Sequence, residues 1–227
     1  MLNNETEKLT FKERNQIPMT RKLFLTLFLY NVWITGCTQS VNDEKVVGGP
    51  CEGCSAVHEY GSKKLSWFDT LPDYKDNGPK MEVSGTIYNR DGKTAAGNVV
   101  LYIYHTDQNG EYPTKGSETG WGKRHGFIRG WIKTDATGKY KFLTLRPGAY
   151  PGRQNPKHIH ATIKEPGYGE YWIDEFLFDD DPILSPNERS LQKKRGGNGI
   201  IKLTKNPNGQ LTAHRDIVLG LNIPDYE

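Results

Sequence analysis

The feature that most constrains the fold of this 227-residue chain is its succession of short β-type runs separated by turn residues. Valine, isoleucine, threonine and aromatic residues are concentrated in these runs, and Gly, Pro, Asn and Asp are concentrated between them. Apolar positions at helical spacing are scarce. The pattern predicts an all-β fold, a two-sheet β-sandwich with long loops that form the functional site. The predicted strands are 81–88, 98–104, 130–134, 139–145, 158–163, 171–178 and 216–219.

The formal net charge is only +3, and no basic block is interleaved with aromatic residues. Nucleic-acid-binding proteins carry such a patch to neutralise phosphates. The sequence therefore predicts no nucleic-acid partner.

The N-terminal region has the layout of an export signal. The basic run Met19–Lys22 precedes an apolar stretch, Leu23–Ile34, which is too short to span a bilayer comfortably. The stretch ends at Ile34-Thr35-Gly36-Cys37, which resembles the lipobox of bacterial lipoproteins. That resemblance implies a signal peptide at 1–36, with 1–18 interpreted as a misassigned extension, and an acylated Cys37. The mature protein would be lipid-anchored in the bacterial cell envelope, outside the cytoplasm. A buried apolar segment with a chance cysteine is the alternative.

Residues 37–79 are predicted to form the lipid-anchored tether, and the folded domain is predicted to cover 80–227. The tether contains Cys51 and Cys54, for which the sequence favours a small disulfide loop in an oxidising compartment. A reactive cysteine pair or half of a metal site remains open.

The motif with the most direct chemical meaning is His158-Ile159-His160, at the start of a predicted strand. Side chains alternate along a strand, so both imidazoles point to one face and Ile159 points to the other. Two histidines on one face can chelate a single metal ion.

The residues around this motif occur in a characteristic order. Gly110-Glu111-Tyr112 comes first, then a Thr-Asp-x-x-Gly-x-Tyr-x-Phe run from Thr134 to Phe142. Pro147-Gly148-Ala149-Tyr150 and His158-Ile159-His160 follow. Over roughly residues 80–220 this order resembles the intradiol ring-cleavage dioxygenases, the catechol and protocatechuate group.

The resemblance implies that family's β-sandwich and an iron(III) ion bound by Tyr112, Tyr150, His158 and His160. Phenolate is a hard anionic ligand that stabilises iron(III), whereas iron(II) oxygenases use two histidines and a carboxylate. The implied substrates are O₂ and a small aromatic diol, whose ring would open between the hydroxylated carbons to a muconate-type diacid. The implied catalytic residue is Tyr150, which substrate would displace and which would then act as a base.

Two positions depart from the family pattern. Asn155 stands where the family usually carries an arginine three residues before the first metal histidine, and Glu175 stands where the protocatechuate group carries glutamine. These changes disfavour a carboxylated substrate by Coulomb repulsion. Arg129 and Arg153 are the candidates for supplying the missing cation from loops.

The other four histidines lack family positions and are predicted to be surface or structural residues: His58, His105, His125 and His214.

Two further functions stay open at the level of sequence. A non-catalytic binding or structural lipoprotein could retain the sandwich and the metal site. An enzyme that uses zinc for hydrolysis is disfavoured, because zinc prefers histidine, cysteine and carboxylate to two tyrosinates.

Overall fold

The computed structural model describes residues 44–152 and 155–227. The predicted signal peptide, Cys37 and Arg153 lie outside the described residues. Within them, no helix has both the length and the apolar character needed to cross a membrane. The helices are two 3-10 turns, Cys54–His58 and Pro72–Lys75, and two short α-helices, α1 (Gly122–His125) and α2 (Pro186–Ser190). The strands are β1 (Phe68–Thr70), β2 (Lys80–Tyr88), β3 (Val100–Tyr104), β4 (Arg129–Lys133), β5 (Lys139–Leu145), β6 (His158–Lys164), β7 (Tyr171–Phe178), β8 (Ile200–Ile201), β9 (Thr204–Lys205), β10 (Leu211–His214) and β11 (Ile217–Val218).

The strands form two mixed sheets, which confirms the predicted all-β sandwich. The first sheet has the order β1-β5-β2-β10-β9, with β11 pairing with the far end of β2. The second has the order β4-β3-β6-β7-β8. All seven predicted strands are present, although the run at 216–219 contributes only the two paired residues of β11. The strands that were not predicted, β1, β8, β9 and β10, have two to four residues each and too few positions to show an alternating pattern.

The core lies between the sheets and follows directly from strand periodicity. In β2 every second residue from Met81 to Ile87 is buried, and the residues that alternate with them, Glu82, Ser84 and Thr86, are partly exposed. Phe142 of β5 and Phe176 of β7 meet edge to face with ring centroids 5.8 Å apart. Such aromatic pairs join the two layers of a sandwich.

Residues 44–79 are part of the folded unit, so the predicted tether cannot extend to residue 79 as proposed. β1 pairs with β5 and forms the edge of the first sheet, and the first 3-10 turn buries Ala56 and Val57. These two side chains pack on Tyr102 and Trp131 of the second sheet, and the Trp131 Nε1–H donates to the Ala56 carbonyl at 3.1 Å. The second sheet carries large aromatic residues on its outer face, and this irregular segment removes them from water. The segment has no strand or helix period, which is why the sequence pattern did not reveal its packing.

The structure also joins Cys51 and Cys54, so the small disulfide loop is the arrangement observed.

A buried polar network closes one end of the sandwich. Thr144 Oγ1 lies 2.6 Å from His105 Nε2 and 2.9 and 3.0 Å from the two carboxylate oxygens of Asp73. The His105 Nδ1–H donates to the Thr106 carbonyl at 2.7 Å. Burial raises the pKa of Asp73 and lowers the pKa of His105. The network makes His105 a structural residue, as the sequence predicted.

Candidate metal centre

β6 supplies two histidines to one face of the second sheet. His158 and His160 flank Ile159, which is fully buried in the core between the sheets. The two imidazole rings are 4.6 Å apart and nearly perpendicular. Strand alternation therefore produces the one-sided histidine pair that the sequence predicted.

Two tyrosines reach the same place from separate loops, one after β3 and one after β5. The Asp107 carboxylate accepts from the Asn109 and Glu111 backbone N–H groups and shapes the first loop, which ends at Tyr112. The Asp107 carbonyl accepts from the N–H of Gly148, two residues before Tyr150, at 2.8 Å.

Gly110 allows these two loops to touch. It has a φ of 80°, and a Cβ at this position would lie 1.8 Å from the Ala149 carbonyl oxygen. Only glycine adopts this conformation and this approach without strain. The loop with the Gly-x-Tyr motif and the loop with the Pro-Gly-x-Tyr motif thus contact each other directly.

The four predicted ligand atoms converge. Tyr112 Oη lies 2.5 Å from Tyr150 Oη and 2.8 Å from His160 Nε2. Tyr150 Oη lies 3.1 Å from His158 Nε2 and 3.4 Å from His160 Nε2. Bonds of about 2.0–2.1 Å to one ion would place neighbouring ligand atoms roughly 2.9–3.4 Å apart, for angles between 90° and tetrahedral. The donor set therefore fits a single metal ion with little rearrangement.

Both histidines present the nitrogen that such an ion needs. The His158 Nδ1–H donates to the Pro156 carbonyl at 2.6 Å, and the His160 Nδ1 lies 2.8 Å from Glu175 Oε1. Each contact leaves Nε2 directed at the tyrosines. Burial lowers the pKa of His158, which keeps its imidazole neutral and able to act as a ligand.

Without a cation the buried phenol of Tyr112 stays protonated. Burial raises the pKa of Tyr112 above its usual value of 10.0, and the hydrogen bond with Tyr150 raises it further. A metal ion would reverse this preference because it stabilises the phenolate.

Glu175 comes close enough to form a second possible ligand set. His158, His160 and Glu175 could offer ligand atoms within 4.8 Å of one another, the pattern of an iron(II) site. However, Glu175 contacts Nδ1 of His160, whereas the tyrosines contact Nε2 on the opposite side of the ring. One ion cannot use both nitrogens of one imidazole, so an ion held by the tyrosines excludes Glu175 from its ligands.

A stack of aromatic rings supports His160 from the side. Tyr104 stacks on His160 with centroids 4.4 Å apart, and His125 stacks on Tyr104 at 3.8 Å. Trp121 covers His125 at 5.4 Å. Burial lowers the pKa of His125 to about 4, so its ring is neutral in the stack. The sequence placed His125 among the surface or structural histidines; it is structural, and it also forms part of the site wall.

Two cavities adjoin the centre. One, of about 240 Å³, is lined by Tyr112, Tyr150, His160 and the aromatic stack. The other, of about 420 Å³, lies on the Glu175 side and shares Tyr104 and His160 with the first. Glu52 of the disulfide loop lines both cavities.

Of the predicted pocket residues that the structure describes, neither Arg129 nor Asn155 lines the two cavities. Asn155 is exposed. Arg129 donates to Glu59 at 2.7 Å and lies over the ring of Trp131. Arg153 lies outside the described residues.

The cation that lines the smaller cavity is Arg124, which sequence reasoning did not single out. It forms an ion pair with Glu52. One sequence signal could have identified Arg124: it lies in the polar, irregular segment that begins at Trp121, and sandwich proteins carry their functional sites on such loops.

Comparison with known proteins identifies relatives of this chain. A family model described as "Dioxygenase" matches residues 63–196. A protocatechuate 3,4-dioxygenase beta chain from Burkholderia cepacia is 29% identical over 114 residues, which cover 48% of each protein. Catechol 1,2-dioxygenase 1 from Acinetobacter lwoffii is 36% identical over 160 residues, covering 62% of this chain and 47% of that protein. The chain thus spans about half the length of these relatives.

The fold is shared with solved structures. A catechol 1,2-dioxygenase from Acinetobacter sp. ADP1 superposes with a TM-score of 0.51 and 19% sequence identity, over 70% of this chain and 58% of that chain.

Proposed function

The chain belongs to the intradiol dioxygenase family, and we propose that it is an iron(III)-dependent enzyme that opens a catechol-like ring between its two hydroxylated carbons. The observation that carries the proposal is the convergence of two tyrosine oxygens and two histidine nitrogens within 3.4 Å of neighbouring donors. Two phenolates favour iron(III) over iron(II), and they also favour iron(III) over zinc.

The residues have distinct roles in this proposal. Iron(III), when bound, would supply a Lewis acid that favours ionisation of both diol hydroxyls and makes the ring reactive toward O₂. His158 and His160 would hold the ion through Nε2, and Tyr112 would supply an anionic oxygen. Tyr150 Oη would accept one diol proton as a general base, and the second proton would pass to solvent. Both atoms of O₂ enter the muconate-type product, so no external reductant is needed.

The smaller cavity is suited to the aromatic ring of the substrate. Its volume of about 240 Å³ is below the usual range for drug-sized ligands and matches a single small ring. One wall carries the donor atoms of Tyr112, Tyr150 and His160, and another carries Tyr104 and His125. A flat ring between these walls would expose its two hydroxyls to the metal centre.

The charges around the centre favour a substrate without a carboxylate. Burial alone would raise the pKa of Glu175, but its hydrogen bond with His160 outweighs burial and lowers the pKa, so Glu175 is ionised at neutral pH. Arg124 is already paired with Glu52, and Asn155 carries no charge. Glu175 lies across His160 from the smaller cavity, and a ring carboxylate roughly 8 Å from it would lose about 0.5–2 kcal/mol.

The test is oxygen uptake and product analysis with iron-loaded protein. Catechol should yield a muconate-type diacid, and its kcat/KM should exceed that of protocatechuate severalfold, given the Coulomb cost above. Glu175→Gln should reduce the difference in kcat/KM between catechol and protocatechuate, and Asn155→Arg should reduce it further. Glu170→Gln is the matched control, because Glu170 pairs with His58 away from the centre.

Substitution of a metal ligand provides a second test of the proposed function. His158→Ala should remove most iron and all ring cleavage, and the wine-red colour of tyrosinate–iron(III) should disappear with it. A wild-type protein that holds iron but cleaves no catechol would instead support a binding or structural lipoprotein.

We also propose that Cys37 is acylated and that the enzyme is anchored to the bacterial cell envelope. The order of basic residues, apolar stretch and Ile34-Thr35-Gly36-Cys37 supports this location.

A further inference from the structure

The contact between Glu175 and His160 joins a carboxylate to the far side of a metal-binding imidazole. Glu175 Oε1 lies 2.8 Å from His160 Nδ1. A carboxylate accepts hydrogen bonds and donates none, so the imidazole carries its proton on Nδ1. The lone pair on Nε2 then faces Tyr112 and Tyr150.

We propose that Glu175 is a positioning residue that fixes the tautomer and orientation of His160 and strengthens its Nε2 as an iron(III) donor. The inference rests on the proposed metal centre but concerns a residue that stands where glutamine is expected. A neutral glutamine and a charged glutamate would affect His160 differently, because a carboxylate attracts the Nδ1 proton more strongly and raises the electron density on Nε2.

The strand geometry explains how Glu175 reaches this position. β6 and β7 pair at Ile159–Phe176 and again at Ala161–Ile173, so β7 has one extra residue opposite His160. Because Glu175 precedes the buried Phe176 and His160 follows the buried Ile159, strand alternation places both on the outer face, opposite each other. The extra residue, Asp174, returns Ile173 to the core beyond this pair.

The ring of His160 is constrained in two independent ways. Tyr104 stacks on its face at 4.4 Å, with the planes 19° apart, and fixes the plane of the ring. Glu175 holds its edge and fixes which nitrogen faces the tyrosines. The partner of His158 is the backbone carbonyl of Pro156, which has no charge. The two histidines therefore differ in donor strength, and Glu175 is the reason.

Two variants separate the effects of the charge and of the hydrogen bond. Glu175→Gln retains an acceptor oxygen without the charge, and Glu175→Leu removes both. Glu170→Gln is the control, since Glu170 also contacts a histidine, His58, at 3.2 Å. Circular dichroism and thermal unfolding of each variant establish that it is folded.

The first measurement uses metal-free protein and long-range ¹⁵N–¹H NMR of the histidine side chains. His160 should be protonated on Nδ1 in the wild type and in Glu175→Gln, and it should populate both tautomers in Glu175→Leu. This readout needs neither iron nor activity, so it tests Glu175 even if the protein cleaves no catechol. A wild-type His160 protonated on Nε2 would overturn the proposal.

The second measurement uses the iron-loaded proteins. Weaker donation from Nε2 should move the tyrosinate-to-iron band of Glu175→Gln to longer wavelength and raise the iron reduction potential. Glu175→Leu should also lose about 10–100-fold in iron affinity, measured against a chelator. Glu170→Gln should match the wild type in all three properties. A Glu175→Gln spectrum and potential equal to those of the wild type would refute a role for the charge.

Discussion

Iron binding at this centre should release protons from the two tyrosines, and the number can be counted. A phenol with the ordinary pKa of about 10 is protonated at pH 8, and an ordinary histidine is already neutral there. Burial holds the pKa of Tyr112 above that of a free phenol and the pKa of His158 below that of a free histidine. Each bound ion should therefore displace one proton from Tyr112 and one from Tyr150.

The size of the effect follows from linkage. Each released proton raises the apparent affinity tenfold per pH unit, or about 1.4 kcal/mol, so the two tyrosines contribute about 100-fold per unit near pH 8. The sign is fixed, because binding removes protons and a higher pH must strengthen it. Tyr150→Phe removes one ionisable ligand and should lower the contribution to about tenfold per unit.

The assay is calorimetric titration with a ferric chelate at pH 8 in buffers of different ionisation enthalpy. Protons exchanged by the chelate are common to all variants and cancel in their difference. The wild type should release one more proton than Tyr150→Phe, unless water takes the place of Tyr150 and ionises, in which case the tyrosinate band still weakens. Tyr60→Phe, at an exposed tyrosine, should equal the wild type in both measurements. A proton difference of zero together with an unchanged tyrosinate band in Tyr150→Phe would show that Tyr150 is not an anionic ligand, and the proposed donor set would fail.

Three further predictions test the fold, the loop contact and the location. Thr144→Val should lower the free energy of unfolding by about 3 kcal/mol in urea titrations, because two buried partners lose a hydrogen bond. Thr162→Val loses only a 3.8 Å contact to sulfur and should lower the free energy of unfolding by less than about 1 kcal/mol. Equal losses in the two variants would contradict this account. Gly110→Ala should separate the tyrosine loops and weaken iron binding about tenfold or more, a loss typical of disturbed support around metal ligands. Gly152→Ala, where a Cβ meets nothing within 4 Å, should leave iron binding unchanged, and a loss of affinity there would assign the effect to general backbone strain. Mass spectrometry of the mature N-terminus should find an acylated Cys37, and an unmodified Cys37 would exclude the lipid anchor.

The sequence alone determined the features that depend on short stretches of chain. The period of two in a strand puts His158 and His160 on one face whatever the rest of the protein does. Turn chemistry is equally local, so the glycine and proline motifs before Tyr112 and Tyr150 marked both loops. The motif order then indicated the family, and with it which side chains should meet.

Only the tertiary structure decided the contacts that depend on how distant strands and segments pair. The contact of Glu175 with Nδ1 of His160 follows from the pairing of β6 with β7 at Ile159–Phe176, and this cross-strand register joins residues that are distant in the sequence. The stack of His125 on Tyr104 and the packing of residues 44–79 have the same origin. These segments have no period of their own and take their places because the outer face of the second sheet must be covered.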